Sequence, residues 1–201
     1  MGGGASALHA DDDPRLEIEP GNGSGVRVEA SGPGAYKLYL SRDRDFLRPT
    51  GTLGNAELGE MSPVNLDAYA FEMIELRLHA GGGPIRTYAV RIRVLSPQTV
   101  PPGNLAPADV GMGVVSINSC NETANPLFAV DPRTAPKNVD GIPLFVGTLG
   151  DCVGSSVELF RTNCQGNKKV HRFTLVWAVA PQFFTPQSNV AIEVLLELEV
   201  L

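Results

Sequence analysis

The chain of 201 residues has a net charge of −6, and 43% of its residues are apolar. A chain of this length can bury a hydrophobic core without disulfide bonds. Residues 1–100 contain 10 basic and 13 acidic residues, and residues 101–201 contain 6 and 9, so each half has a net charge of −3. DNA or RNA binding is therefore disfavoured, because no basic tract is present to contact phosphates.

The N-terminal residues 1–14 predict a flexible arm, because they are small, polar and acidic without a periodic apolar face. Met1–Ser6 fits the M-G-x-x-x-[ST] pattern, so Gly2 is a candidate for myristoylation, although a flexible leader explains the same residues. Asp11–Asp13 stands where a signal peptide requires an apolar core. No apolar run reaches the roughly 18–20 residues of a membrane span. We therefore expect no membrane span, and we expect either no export by the signal-peptide route or a leader that has been removed.

Apolar residues alternate with polar ones over most of the chain, which indicates β-strands. Leu16 and Ile18 alternate with glutamates, and the glycine-rich turn 21–25 that follows predicts a hairpin with the next strand. An irregular step between Phe71 and Ile74 predicts a bulge. Strands are predicted around residues 16–19, 26–29, 36–40, 71–78, 88–94, 114–117, 144–146, 157–160, 173–179 and 192–200.

The fold class predicted from this pattern is all-β, with two antiparallel β-sandwiches of immunoglobulin-like or jelly-roll-like type in tandem. Ser96–Pro107 contains four prolines and is either a linker or a long crossing loop. The expected domains are residues 15–96 and 108–201, joined by a linker at 97–107. Gly51–Asn55 (GTLGN) returns as Gly147–Asp151 (GTLGD), which is consistent with a duplication.

The sequence makes a specific prediction for each of the last two strands. Trp177 should face the core together with Phe173, Leu175 and Val179. The last strand, which ends at Leu201, should be either central in its sheet or an edge that another subunit extends.

Chemical motifs give no catalytic, cofactor-binding or metal site. His9, His79 and His171 lack a second ligand at zinc-site spacing, and Gly21-x-Gly23-x-Gly25 lies between strands instead of before a helix. The cysteines Cys120, Cys152 and Cys164 are odd in number. A Cys152–Cys164 bridge is geometrically doubtful because a strand separates them. Cys120 could pair with either, or all three could be thiols.

These observations favour a non-enzymatic structural protein that acts through its surface. The leading hypothesis is a virion surface or tail component, such as a phage capsid decoration protein, with protein partners in a homo- or hetero-oligomeric assembly. The alternative is a secreted adhesin or carbohydrate-binding β-sandwich module. The expected location is accordingly the virion, or the extracellular space under the alternative.

Overall fold

Ten antiparallel β-strands form the fold in a computed structural model that describes residues 14–20, 26–32, 35–40, 70–80, 86–96, 106–117, 121–139, 143–164, 170–179 and 192–201. The strands are β1 (Arg15–Pro20), β2 (Val26–Gly32), β3 (Ala35–Leu40), β4 (Ala70–His79), β5 (Arg86–Ser96), β6 (Val110–Ile117), β7 (Asn121–Ala124), β8 (Val157–Cys164), β9 (Val170–Val179) and β10 (Ile192–Val200). Short 3₁₀ turns span Pro107–Asp109, Pro126–Phe128, Pro132–Thr134 and Leu149–Cys152. The predicted all-β class is confirmed.

The strands form two sheets. The four-stranded sheet has the order β1-β4-β9-β6, and the six-stranded sheet has the order β2-β3-β10-β5-β8-β7. Most connections run from one sheet to the other, and only β2–β3 and β7–β8 pair as successive strands of one sheet. The arrangement is therefore a sandwich in which the chain repeatedly crosses between the layers.

One hydrophobic core lies between the two sheets. Its members are the inward residues of strands in both sheets, among them Leu16, Leu76, Ile92, Met112, Leu175 and Leu196. The rings of Phe160, on β8, and Phe173, on β9, stack with their centroids 4.2 Å apart. Since β8 and β9 belong to different sheets, this stack joins the two layers.

The strand pairing does not show two sandwiches in tandem. The expected domains, 15–96 and 108–201, contribute strands to the same two sheets: β4 pairs with β9, and β10 lies between β3 and β5. Neither half could form a sandwich alone, because each half contains strands whose backbone hydrogen bonds are made only with strands of the other half. The proline-rich connection leads from β5 in one sheet to β6 in the other, so it crosses between layers of one sandwich.

Several local expectations are also corrected. The turn 21–25 does not close a hairpin, because β1 pairs with β4 and β2 pairs with β3. The bulge expected near Phe71 is absent, since β4 pairs with β9 in continuous register from Ala70 to His79. Residues 144–146 form no strand. The last strand is central in its sheet, which settles the two alternatives for it.

The prediction of which side chains face the core is confirmed in strands where apolar and polar residues alternate regularly. Trp177, Phe173 and Leu175 are fully buried, as are Ile192 and Leu196 on β10. The bulge opposite Val90 and Arg91 leaves an extra residue on β8, so that the adjacent Leu159 and Phe160 are both buried. The expected arm at residues 1–13, the side chain of Val179 and the first copy of the repeat at 51–55 lie outside the described residues.

A chain shortened to residues 107–201 should not fold. It would leave β9 without β4, and β10 without both of its neighbours, exposing core surface and unpaired backbone groups. Circular dichroism on heating and amide NMR dispersion would test this against the full-length chain. Cooperative unfolding and dispersed amides in the shortened chain would contradict the interleaved architecture.

Replacing Trp177 by alanine should lower the free energy of unfolding by about 3–5 kcal/mol, because a fully buried ring leaves a cavity in the core. Urea denaturation followed by circular dichroism measures the loss. The control is Val170→Ala on the same strand, where the side chain is 45% exposed and the change should stay within about 0.5 kcal/mol. Equal stability of the two variants would show that Trp177 does not pack in the core.

Candidate functional site

The long segment between β7 and β8 covers part of the four-stranded sheet on the side facing away from the core. We call residues 125–139 and 143–148 the overlay. Its backbone passes over Gly113 on β6, and its Phe145 ring covers Gly111 on the same strand. Directly beneath, Val176 and Ala178 on β9 are fully buried although they point to the outer face. Phe128 of the overlay belongs to the core and Leu127 packs against it, so the overlay runs from the core onto the outer face and adds a third layer over β6 and β9.

Two short polar residues, each followed by proline, begin the turns of the overlay. Asn125 accepts a hydrogen bond from the Leu127 amide at 3.0 Å, and its side-chain amide donates to the Glu158 carbonyl at 2.8 Å. Asp131 accepts from the Arg133 amide at 2.9 Å. In each case the following proline has the backbone angle that a helical turn requires and lacks an N–H that would go unpaired. Side-chain capping therefore replaces the ladder bonds of a regular strand.

Two glycines in β6 allow the overlay to approach closely. A side-chain carbon at Gly111 would overlap the Phe145 ring, and one at Gly113 would overlap the Val130 carbonyl. Gly111 and Gly113 project to the same face because they are two residues apart on a strand. Glycine is therefore required at both positions for the third layer to seat on the sheet.

The overlay also closes the edge of the four-stranded sheet at β6. The Met112 amide donates to the Gly147 carbonyl at 3.0 Å, and Gly111 forms an isolated antiparallel bridge with Thr148. Backbone groups of β6 that would otherwise face outward are thus partly satisfied within the chain. This protects the edge against addition of a foreign strand.

An ion pair fixes the middle of the overlay. Arg133 donates from Nε to both carboxylate oxygens of Asp131 at 3.0 Å and from Nη2 to Oδ2 at 2.7 Å. Its Nη1 also lies 3.7 Å from the sulfur of Met73 on β4. Burial raises the pKa of Asp131, but the hydrogen bonds and the charge of Arg133 outweigh it and hold that pKa below its usual value. The charges of this pair are therefore satisfied internally.

The outward side of the overlay is apolar. Leu144 and Val146 are each 51% exposed, Val139 is fully exposed and Val130 is 40% exposed. A backbone hydrogen bond of 2.7 Å from Leu144 to Pro136 and a bridge between Lys137 and Pro143 bring the two ends of the overlay's outer loop together. Four of the seven exposed large apolar side chains of the described chain therefore lie on this one segment.

Charged residues occupy the opposite end of the same outer face. The Glu17 carboxylate on β1 lies 3.1 Å from Nε of Arg15 and 2.9 Å from Nε2 of His79. The Glu75 carboxylate on β4 lies 2.8 Å from Nε of Arg77. The hydrogen bond from His79 is the main reason that the pKa of Glu17 is lowered. Such half-exposed pairs each contribute about 0–1 kcal/mol, so we interpret them as a solvated surface.

The candidate chemical groups from the sequence do not come together. Within the described ranges, no three histidine, cysteine or acidic side chains are placed to hold a metal ion. His79 lies on the outer face of β4, His171 is buried on β9, and His9 is outside the described residues. No catalytic, cofactor or metal residues had been proposed, and none can be assigned from these positions.

Cys152 is a buried free thiol, so the bridges considered for it are not formed. Burial, and to a smaller extent the charge of Asp151, raises its pKa to about 12. A thiol with this pKa is almost wholly protonated near neutral pH and is a poor nucleophile. Cys120 lies outside the described residues, as does the side chain of Cys164 at the end of β8.

Comparison with known proteins gives no relative: no protein family, no curated protein and no solved structure matches the chain. The helical turns in the described ranges are also too short or too polar to cross a membrane. The packing of the overlay on Gly111 and Gly113 makes it the best-defined candidate site, and the sequence patterns above do not predict it. The signal for it was present in Gly111-Met112-Gly113, a pair of glycines on one face of an apolar strand.

A double-mutant cycle can test whether the overlay packs on Gly111 through Phe145. Gly111→Ala and Phe145→Ala should each destabilise the protein, the first by overlap with the ring and the second by loss of packing. The double variant should lose less free energy of unfolding than the two single variants lose together, because removing the ring makes room for the new methyl group. Chemical denaturation measures all four free energies of unfolding.

Gly113→Ala combined with Phe145→Ala is the matched control. A methyl group at Gly113 would overlap the backbone carbonyl of Val130, and truncating Phe145 does not remove that overlap. The losses of free energy of unfolding from the two substitutions should therefore add. Additivity in the Gly111 cycle as well would mean that Phe145 does not lie over that glycine.

Proposed function

We propose that this protein is a structural subunit that assembles with copies of itself at a virion surface, as a phage capsid decoration protein does. The observation that carries the proposal is the outward apolar side of the overlay. Monomeric proteins rarely expose apolar side chains in one contiguous patch, and such patches commonly mark protein–protein contacts. Val130, Val139, Leu144 and Val146 all lie on the overlay, and all four are exposed.

The strand order supports this proposal. β4 pairs with β9 in one sheet while β5 pairs with β8 in the other, and β6 and β7 lie beside β9 and β8 respectively. Since β3 also pairs with β10, we interpret the nested pairs β3–β10, β4–β9 and β5–β8 as a jelly-roll-like topology of the eight strands β3 to β10, with β1 and β2 as additional strands. Jelly rolls recur in viral capsid proteins, although they also occur in lectins, and a fold alone does not give a function.

The carbohydrate-binding alternative would use the same fold in a different way. Sugar rings often pack on the faces of exposed aromatic side chains. In the described residues, the largest aromatic side chains are instead fully buried: Trp177, Tyr88, Phe128, Phe160 and Phe173. These five rings belong to the core and are therefore not available to a sugar.

The proposal predicts that the full-length protein self-associates. Size-exclusion chromatography with light scattering, over roughly 1–200 µM, should give a mass that rises in multiples of 21.3 kDa. Negative-stain electron microscopy of the same fractions should show regular oligomers. A 21.3 kDa monomer throughout this range would overturn the proposal, and a monomer that binds on a glycan array would favour the adhesin alternative.

A further inference from the structure

We infer that the outer edge of β2 is a two-fold contact, at which a second copy of this chain adds its own β2 in the antiparallel direction. The two six-stranded sheets then join into one continuous sheet across the axis of an isologous dimer. The inference rests on the proposed function, because it names a surface through which copies of the chain associate, in addition to the overlay.

β2 is the more open of the two edges of the six-stranded sheet. It pairs with β3 on one side, and in the described part of the chain no strand pairs with its other side. The opposite edge strand, β7, has only four residues and runs directly into the capped turn at Asn125 and Pro126. β2 has seven residues without a proline, so every backbone amide along it can donate a hydrogen bond. An edge of this kind favours addition of a further strand.

The regular part of β2 determines the register of such a pairing. Residues 26–30 pair with β3 in continuous register, and the register then shifts between Ala30 and Gly32. Because an irregularity of this kind bends a strand and disrupts the ladder, the segment that a second strand can follow is 26–30. Two copies of a segment related by a two-fold axis pair about its middle residue, which is Val28. Val28 then stands opposite Val28 of the second copy, and Val26 stands opposite Ala30.

Charge favours a second copy of β2 as the occupant in this register. Arg27 stands opposite Glu29 of the second copy, and by symmetry Glu29 stands opposite Arg27, so two pairs of opposite charge form across the axis. Opposite charges at directly opposed positions stabilise an antiparallel pair, and like charges destabilise it. Moving the axis to either neighbouring residue would oppose Arg27 with Arg27 or Glu29 with Glu29. The self-complementary register is therefore the one that uses the whole regular segment.

The added strand also continues the charge pattern of the sheet. Within one chain, Glu29 stands opposite Lys37 on β3, and Nζ of Lys37 lies 3.2 Å from the carboxylate of Glu193 on β10. Arg27 of the second copy adds a basic residue on the free side of Glu29. Basic and acidic residues then alternate from the second copy through β2 and β3 to β10, so that no residue of this row is opposed by a like charge.

The edge strand β1 of the other sheet lacks this self-complementarity. β1 spans Arg15–Pro20, so a two-fold axis near its middle lies at Glu17 or at Ile18. The first axis opposes Glu17 with Glu17, and the second opposes Glu17 with Glu19. Both place carboxylates opposite each other, which disfavours pairing of β1 with its copy. The complementarity of β2 is therefore not a general property of the edges of this fold.

The test uses charge reversal in the full-length protein. Arg27→Glu leaves acidic residues at both positions, and Glu29→Arg leaves basic residues at both, so each variant alone opposes like charges twice across the axis. Each should weaken self-association by about 10-fold or more, because two opposed pairs in the dimer change from attraction to repulsion. Sedimentation equilibrium measures the dissociation constants.

An equimolar mixture of the two variants is the decisive measurement. When a copy with Arg27→Glu meets a copy with Glu29→Arg, both opposed pairs again carry opposite charges. The mixture should therefore associate with a dissociation constant within about 3-fold of the wild-type value. Mixing cannot repair an effect of either substitution on the folding of its own chain, so restored association reports a contact between copies.

Arg161→Glu and Glu158→Arg are the matched controls. They make the same changes of charge at an ion pair on β8, where Nη2 of Arg161 lies 2.8 Å from the carboxylate of Glu158. Three strands separate β8 from β2 in the sheet. Each control should change the dissociation constant by no more than about 3-fold, because a surface ion pair contributes little. Mixing the two controls should produce no further change.

The outcomes separate this inference from the function proposed above. A wild-type protein that remains monomeric overturns the proposed function, and this inference with it. A wild-type protein that assembles while the Arg27 and Glu29 variants associate as strongly as their controls overturns only this inference. Weakened association that the mixture does not restore also overturns it, because the substitutions would then act within one chain or at a contact with other residues.

Discussion

The pairing of β9 with β4, and of β10 with both β3 and β5, is the constraint on which the rest of the structure depends. These pairings join residues about 90 to 160 positions apart, so the two sheets exist only when both halves of the chain are present. The Phe160–Phe173 stack then couples the sheets across the core. Closing such long loops is entropically costly, and the buried apolar area of a shared core has to offset that cost.

Two buried polar atoms show how strongly packing dominates this core. The Tyr88 hydroxyl and the Trp177 ring nitrogen are buried without a hydrogen-bond partner among the described residues. An unpaired buried polar group costs about 1–3 kcal/mol. Burying rings of this size offsets that penalty, since fully burying a large apolar side chain contributes about 1.5–3 kcal/mol. Both residues therefore contribute mainly through their rings.

The sequence predicts which face of a strand is buried far better than it predicts the partner of that strand. The alternation around Trp177 identifies Phe173, Leu175 and Trp177 correctly as inward residues, because a period of two depends only on the local backbone. The glycine-rich turn at 21–25 was interpreted as a hairpin, and yet it connects the two sheets. A glycine-rich sequence permits both routes, so the choice is made by distant strands that local patterns do not reveal.

The overlay was missed for a related reason. Leu144-Phe145-Val146 has the composition of a buried strand, but only Phe145 faces inward. Prolines at 126 and 132 favour capped turns over ladder pairing, and the glycines that receive the segment lie on a different strand, 17 residues from Val130 at Gly113 and 34 residues from Phe145 at Gly111. Sequence patterns of one segment cannot show a contact whose space is created by another segment.

The treatment of the sheet edges explains why a side-chain surface is the route to assembly at the four-stranded sheet. β10 is central, and β6 is partly closed by residues 147–148. β1 is an edge strand, but Pro14 precedes it, Pro20 ends it, and its outer face carries the charged Arg15 and Glu17. Prolines and charges on an edge disfavour uncontrolled strand addition. Because both edges of the four-stranded sheet are protected in this way, the exposed Leu144 and Val146 favour association at this sheet through contacts between side chains, and such contacts are limited by shape and can therefore end at a closed oligomer.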